Sequence, residues 1–152
     1  MYPVVVSDLD GTLLTKQHEL SFRTREVIRQ LSEKGIKFIF ATGRHFQDVE
    51  RIRAQLGVDM YLITSNGARV HNPKGEMIIQ HDIPPGLVEP LLSLRKPFAD
   101  KLHTNVYQGE QWLVEVEHRD LHAFSKESGF TYRTVDFDAG RKNRPYDRSN
   151  QG

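Results

Sequence analysis

Val4-Val5-Val6-Ser7-Asp8-Leu9-Asp10-Gly11-Thr12-Leu13-Leu14 is the stretch on which the fold turns. A β-branched run that breaks into Asp-Leu-Asp-Gly predicts a buried strand over Pro3 to Ser7 that ends in a polar loop. The two carboxylates stand at i and i+2, so an extended backbone points both the same way. Asp8 can then serve as a nucleophile and metal ligand while Asp10 handles a proton. A calcium loop begins similarly, and Glu19 falls at its twelfth position. Leu13 and Lys16 occupy the positions where that loop needs glycine and an oxygen ligand, which argues against calcium.

Outward from this segment the apolar spacing alternates between two periods. From Ser21, a candidate N-cap, Phe22, Val27, Ile28 and Leu31 recur at near-helical spacing until Gly35, which suits a C-terminal stop. Ile36 to Ala41 is a second strand closed by Thr42-Gly43-Arg44. Val49, Ile52 and Leu56 give a second helix before Gly57, and Met60 to Thr64 is a third strand ending in Ser65-Asn66-Gly67. This βαβαβ order predicts an α/β fold, a parallel sheet wrapped by helices with right-handed crossovers. In such a sheet ligands bind at the carboxyl ends of the strands. Those ends carry Asp8 and Asp10, then Thr42 and Arg44, then Ser65 and Asn66. Carboxylates suit a hard cation, and hydroxyls and amides suit phosphoryl oxygens.

After Gly67 the pattern changes. Ala68 to His71 and Glu76 to His81 flank the turn-rich Asn72-Pro73-Lys74-Gly75, which predicts a hairpin. Pro84-Pro85-Gly86 marks a boundary. Beyond it lie a helix around Leu87 to Leu94, strands over Leu102 to Tyr107 and Gln111 to Val116, a helix near Arg119 to Lys126 and a strand near Phe130 to Val135. The predicted organisation is a first domain over 1–82, an αββαβ segment over 83–135 and a tail over 136–152. The tail is so polar that disorder is expected. His118 and His122 stand four apart on a helix without an acidic third ligand nearby, so a surface role is favoured over a metal. Trp112 and Tyr107 alternate with polar residues and are core or substrate-facing aromatics.

The chain has 152 residues, a formal net charge of +1 and no cysteine. Interspersed charges leave no footprint for nucleic acid or an acidic membrane surface. The lack of cysteine removes disulfides and thiolate chemistry and fits a reducing cytoplasm, and no stretch reaches membrane-spanning length. A soluble, cytoplasmic protein is the expectation.

Ser7-Asp8-Leu9-Asp10-Gly11-Thr12-Leu13-Leu14, Phe40-Ala41-Thr42-Gly43-Arg44 and Thr64-Ser65-Asn66-Gly67-Ala68 resemble the motifs of the haloacid dehalogenase superfamily, specifically its Cof-type phosphatases. The resemblance implies half of a Rossmann-like parallel sheet followed by a partial α+β cap. It also implies hydrolysis of a small phosphorylated metabolite, such as a sugar phosphate or pyridoxal phosphate, through an aspartyl phosphate on Asp8. Asp10 would be the general acid and base, and Mg2+ would be held by Asp8 and the backbone carbonyl of Asp10. Thr42, Gly43, Arg44 and Asn66 would bind the phosphoryl group. A phosphoaspartate receiver also uses an aspartate at a strand end, but at its third strand and without the Asp-x-Asp-Gly-Thr continuation. The family pattern goes on to a phosphate-pairing lysine and a Gly-Asp-x-x-x-Asp loop. No Gly-Asp pair occurs here, and Lys142 lies in the polar tail. The expectation is a fragment, a truncated gene product or a frameshifted one, with weak or no activity. It is also expected to self-associate through an exposed sheet edge.

Overall fold

The computed structural model describes residues 3–99 and 101–139. The chain divides into two compact units, residues 1–82 and 83–152.

In the first unit the elements run β1 (Val4–Ser7), α1 (Phe22–Glu33), β2 (Lys37–Ala41), α2 (Phe46–Leu56) and β3 (Met60–Thr64). A hairpin of β4 (Arg69–His71) and β5 (Met77–Gln80) follows. The sheet order is β1-β2-β3-β4-β5, with β1, β2 and β3 parallel and the last two pairings antiparallel. Local chemistry sets the helix ends. Ser21 caps α1 by accepting the Thr24 N–H at 3.0 Å, and Gly57 ends α2 with a left-handed φ of 65°. The hairpin turn is held by Asn72, whose side-chain oxygen accepts the N–H groups of Lys74 and Glu76.

The pleat of the sheet decides where the core sits. Val5, Phe38 and Met60 lie in one cross-strand row, and with Phe40 and Leu62 they pack on Ile28 of α1 and on Val49 and Leu56 of α2. Phe40, Val49 and Leu62 are completely buried, each worth about 1.5–3 kcal/mol of apolar burial. The opposite row of Val6, Ile39 and Tyr61 has no such cover: Val6 is 58% and Tyr61 42% exposed. Both helices pack into one cluster on one face, so the helix-wrapped sheet expected from the βαβαβ spacing is covered on one side among the described residues. The geometry explains this. Successive right-handed crossovers that step the strand order in one direction deliver their helices to the same face.

In the second unit α3 (Pro85–Ser93) precedes β6 (Asn105–Gln108), β7 (Gln111–Val114), α4 (Arg119–Ser128) and β8 (Tyr132–Thr134). The sheet order is β6-β7-β8, antiparallel then parallel. Period-two alternation along β7 sends Trp112 and Val114 against Leu121 of α4 and Phe130, and Leu113 against Leu92 of α3 and Phe137. Trp112 is therefore a core residue, its indole N–H donating to Asn105 Oδ1 at 2.9 Å, while Tyr107 is half exposed. Two residues of the stretch expected to be a tail from Asp136 are packed. Phe137 is 2% exposed, and Asp138 pairs with the buried Arg95 at 3.2 Å, so one aromatic ring and one buried cation hold residues that composition alone assigned to disorder. Residues 140–152 lie outside the described residues, as does Lys142.

Candidate active site

The end of β1 is built around Leu9. This side chain is completely buried, and its carbonyl accepts the N–H groups of Thr12, Leu13 and Leu14, so the chain turns back immediately after Asp10. Gly11 takes a φ of 72°, a left-handed value that costs glycine little. Anchoring Leu9 inward leaves Asp8 and Asp10 outward on either side of it, both exposed. The Thr12 hydroxyl donates to Asp8 Oδ2 at 3.3 Å.

The ends of β2 and β3 are stitched to each other. Thr42 N–H donates to the Ile63 carbonyl at 2.9 Å, Asn66 N–H to the Thr42 carbonyl at 3.3 Å, and Ser65 N–H to the Arg44 carbonyl at 2.9 Å. The Thr42 side chain is 7% exposed, and its hydroxyl oxygen accepts the Arg44 N–H at 3.2 Å. Ser65 and Asn66 both adopt left-handed backbone, at φ of 50° and 54°. Such a conformation is uncommon outside glycine and is characteristic of functional loops when neighbouring structure enforces it. It brings the Asn66 side chain over Gly43, where a β-carbon would lie 2.9 Å from Asn66 Oδ1. Gly43 is thus required by close approach. Ser7 stands opposite Phe40, and Ala41 opposite Ile63, so the segments carrying Asp8, Thr42 and Asn66 leave the sheet at one edge from adjacent strands.

Arg44 ties this edge together. Its Nε and Nη2 donate to the two oxygens of Asp10 at 2.8 and 2.6 Å, and its Nη1 donates to Asp48 Oδ2 at 3.0 Å. Arg44 therefore engages two carboxylates. His18 completes the cluster, its Nδ1 3.4 Å from Asp10 Oδ1 and 3.2 Å from Arg44 Nη2. The hydrogen bonds from Arg44 hold the Asp10 carboxyl below its ordinary range against a smaller opposing effect of burial. Burial pushes Asp48 up despite the attraction of Arg44, and the Asp10 hydrogen bond raises Arg44 itself.

Sequence reasoning missed Asp48 and His18. Asp48 carried a readable signal, four residues after Arg44 in the first turn of α2, whereas His18 sits in a turn with no periodicity to mark it. The charged groups suit a hard cation in kind: the Asp8 carboxylate is exposed, and magnesium commonly takes one or two carboxylates together with substrate phosphate and water. They are few in number. Among the described residues no group of three or more His, Cys, Asp or Glu side chains could hold a metal, and that includes the surroundings of His118 and His122. Among the same residues no helix is long and apolar enough to cross a membrane.

The chain is similar in sequence and in fold to known proteins. A protein of Haemophilus influenzae provisionally named a phosphatase is 41% identical over 138 residues, covering 90% of this chain and 50% of that protein. The "HMP-PP phosphatase" of Yersinia pestis is 33% identical, covering 91% of this chain and 50% of its own length. The chain thus spans about half the length of the curated relatives it matches. Among solved structures, a haloacid dehalogenase-like hydrolase of Bacteroides thetaiotaomicron superposes with a TM-score of 0.75 at 23% identity, over 90% of this chain and 52% of that one. A protein of Thermotoga maritima superposes with a TM-score of 0.71 at 29% identity, over 89% and 50%. The sequence model of the haloacid dehalogenase-like hydrolases matches residues 5–148. On the motifs, the fold and that match together, the chain belongs to the haloacid dehalogenase-like hydrolases.

Proposed function

We propose that this chain carries the nucleophilic half of a phosphomonoester hydrolase site, with Asp8 as the attacking group. A carboxylate oxygen of Asp8 forms a bond to phosphorus as the bond to the leaving alkoxide breaks, giving an aspartyl phosphate that water hydrolyses in a second step. Asp10 delivers the proton to the leaving oxygen and takes one from the incoming water. Thr42 and Asn66 bind the phosphoryl oxygens, and Gly43 leaves room for the Asn66 side chain to do so. A magnesium ion held by Asp8 and the backbone carbonyl of Asp10 would neutralise charge on the phosphoryl group.

The observation that carries this reading is the shared exit of Asp8, Thr42 and Asn66 from neighbouring strands at one edge of the sheet. Electrostatic stabilisation of a phosphoryl dianion by preorganised donors is a large catalytic term, and each missing donor costs about 10²- to 10³-fold in rate. With few cationic groups at this site among the described residues to meet that dianion, slow turnover by the chain itself is the expected outcome. The substrate class is a small cytoplasmic phosphorylated metabolite, with sugar phosphates, pyridoxal phosphate and the substrate class of the HMP-PP phosphatases as the compounds to try first. The test is hydrolysis of a chromogenic phosphomonoester with magnesium beside the Asp8→Asn variant. Turnover far under about 1 s⁻¹, the low end of ordinary enzymes, and lost in the variant, supports the reading. Turnover unchanged in the variant removes it.

A further inference from the structure

We propose that Asp48 is a positioning residue for Asp10 and acts through Arg44. The guanidinium is planar and presents its donors as a rigid fork, so fixing one edge fixes the direction of the other. Here one edge is taken by Asp48, through Nη1 at 3.0 Å, and the adjacent edge grips both oxygens of Asp10 at 2.8 and 2.6 Å. Asp48 is rigidly placed. It is 5% exposed and lies in the first turn of α2, where its own N–H donates to the His45 carbonyl at 3.2 Å.

An acidic residue in a helix's first turn ordinarily does no more than complement the positive end of the helix, and it does that at the surface. Burial argues for more. A carboxylate taken out of water loses hydration, and that loss is offset when a paired cation meets it directly. Asp10 by contrast sits more in the open, with 44% of its side chain exposed, so packing constrains it less than it does Asp48. The buried carboxylate therefore supplies order to the exposed one. His18 adds a second flank to Asp10, its Nδ1 3.4 Å from Asp10 Oδ1.

This bears on the proposed hydrolase because Asp10 is its proton carrier, and the positioning can be read without turnover. In the full chain labelled with ¹⁵N and ¹³C, without substrate or magnesium, the Arg44 Nε–Hε signal is identified by its loss in Arg44→Lys. Its solvent exchange is then compared in Asp48→Asn, a variant of nearly identical shape. The expected result is exchange faster by about tenfold, the scale of one lost charge-assisted hydrogen bond, together with a shift of the Asp10 side-chain carboxyl ¹³C signal. Backbone amides of α2 beyond its first turn stay in place. Unchanged Arg44 exchange and an unmoved Asp10 carboxyl in a folded Asp48→Asn protein would overturn the proposal and leave Asp48 as a helix-end acid. Should Asp48→Asn unfold α2, Arg44→Lys decides: a point charge cannot hold both carboxylates at once, so the Asp10 and Asp48 carboxyl signals both move if the fork positions them, and a still Asp10 signal sinks the inference. An inactive chain with these shifts would count against the hydrolase reading alone.

Discussion

Arg44 and Asp10 meet fork to fork, Nε to Oδ2 at 2.8 Å and Nη2 to Oδ1 at 2.6 Å, across thirty-four positions of sequence. The pair joins the loop after β1 to the loop after β2, so the edge that carries the candidate chemistry is tied by charge as well as by the sheet. It also sets how the protein responds to acid.

The Asp10 carboxyl lies below its ordinary value of 3.8, chiefly through the hydrogen bonds from Arg44. With the folded value depressed, the unfolded chain takes up the proton first as pH falls. The stabilisation is therefore complete above 3.8 and is lost as pH drops through the folded value. The side chain is nearly half exposed, so solvent screening limits the contribution to about 1 kcal/mol or less. Urea unfolding from neutral pH down to about pH 3 should show a shallower acid slope in Asp10→Asn than in the parent. Equal slopes would mean the pair contributes nothing to folding.

Leu62 and Val6 test the asymmetry of the sheet. Leu62 is completely buried beneath the helices, whereas Val6 is 58% exposed on the other face. Leu62→Ala should cost about 2–5 kcal/mol, and Val6→Ala under about 1 kcal/mol. Denaturant melts that gave the two changes similar costs would show that the bare face is covered in solution.

β1 pairs on one side only among the described residues, and Val4 and Val6 stand exposed along it. A free apolar edge is a template for pairing with a second copy. Size-exclusion chromatography with light scattering should show association that rises with concentration and falls in Val6→Lys. A monomer at every concentration would dismiss it.

Gly43→Ala places a β-carbon 2.9 Å from Asn66 Oδ1, so the amide must move. The global stability should change by under about 1 kcal/mol, because the residue is exposed and its φ is not left-handed. Binding of inorganic phosphate, followed at the Asn66 side-chain amide by NMR, should weaken several-fold. Phosphate shifts identical to the parent's would take Asn66 out of the site.

Magnesium should bind weakly. The Asp8 carboxylate is available, but among the described residues no group of three or more His, Cys, Asp or Glu side chains could hold a metal, and magnesium gives up its waters reluctantly. Calorimetry giving micromolar affinity would reveal a ligand outside the groups named here.

Much of this was legible in the sequence because it is local. The alternation of β-branched runs with helical spacing set the order of β1 to β3, and Gly57 and Ser21 marked helix ends through chemistry that needs no tertiary context. Asp8, Asp10, Thr42 and Asn66 stood out as polar groups at the ends of apolar runs. What stayed hidden depends on contacts far apart in the chain. Nothing around Phe137 announces that Leu92 and Leu113 will bury it, or that Arg95 will bind Asp138 next to it. Nor does the Thr-Gly-Arg segment say that its arginine turns to Asp10 and Asp48, because that depends on where the neighbouring strand delivers a carboxylate. The one-sided helix cover follows from strand order, which spacing alone does not contain.

The claim on which the rest depends is that Asp8 is the group that meets phosphorus. Beryllofluoride, which mimics a phosphoryl group on a carboxylate, reads this without requiring turnover. With magnesium present, ¹⁹F NMR of the chain should show bound fluoride signals that Asp8→Asn abolishes and that Asp10→Asn, which leaves the Asp8 carboxylate in place, does not. Bound signals that persist in Asp8→Asn, or none at all in the parent protein, would contradict the assignment.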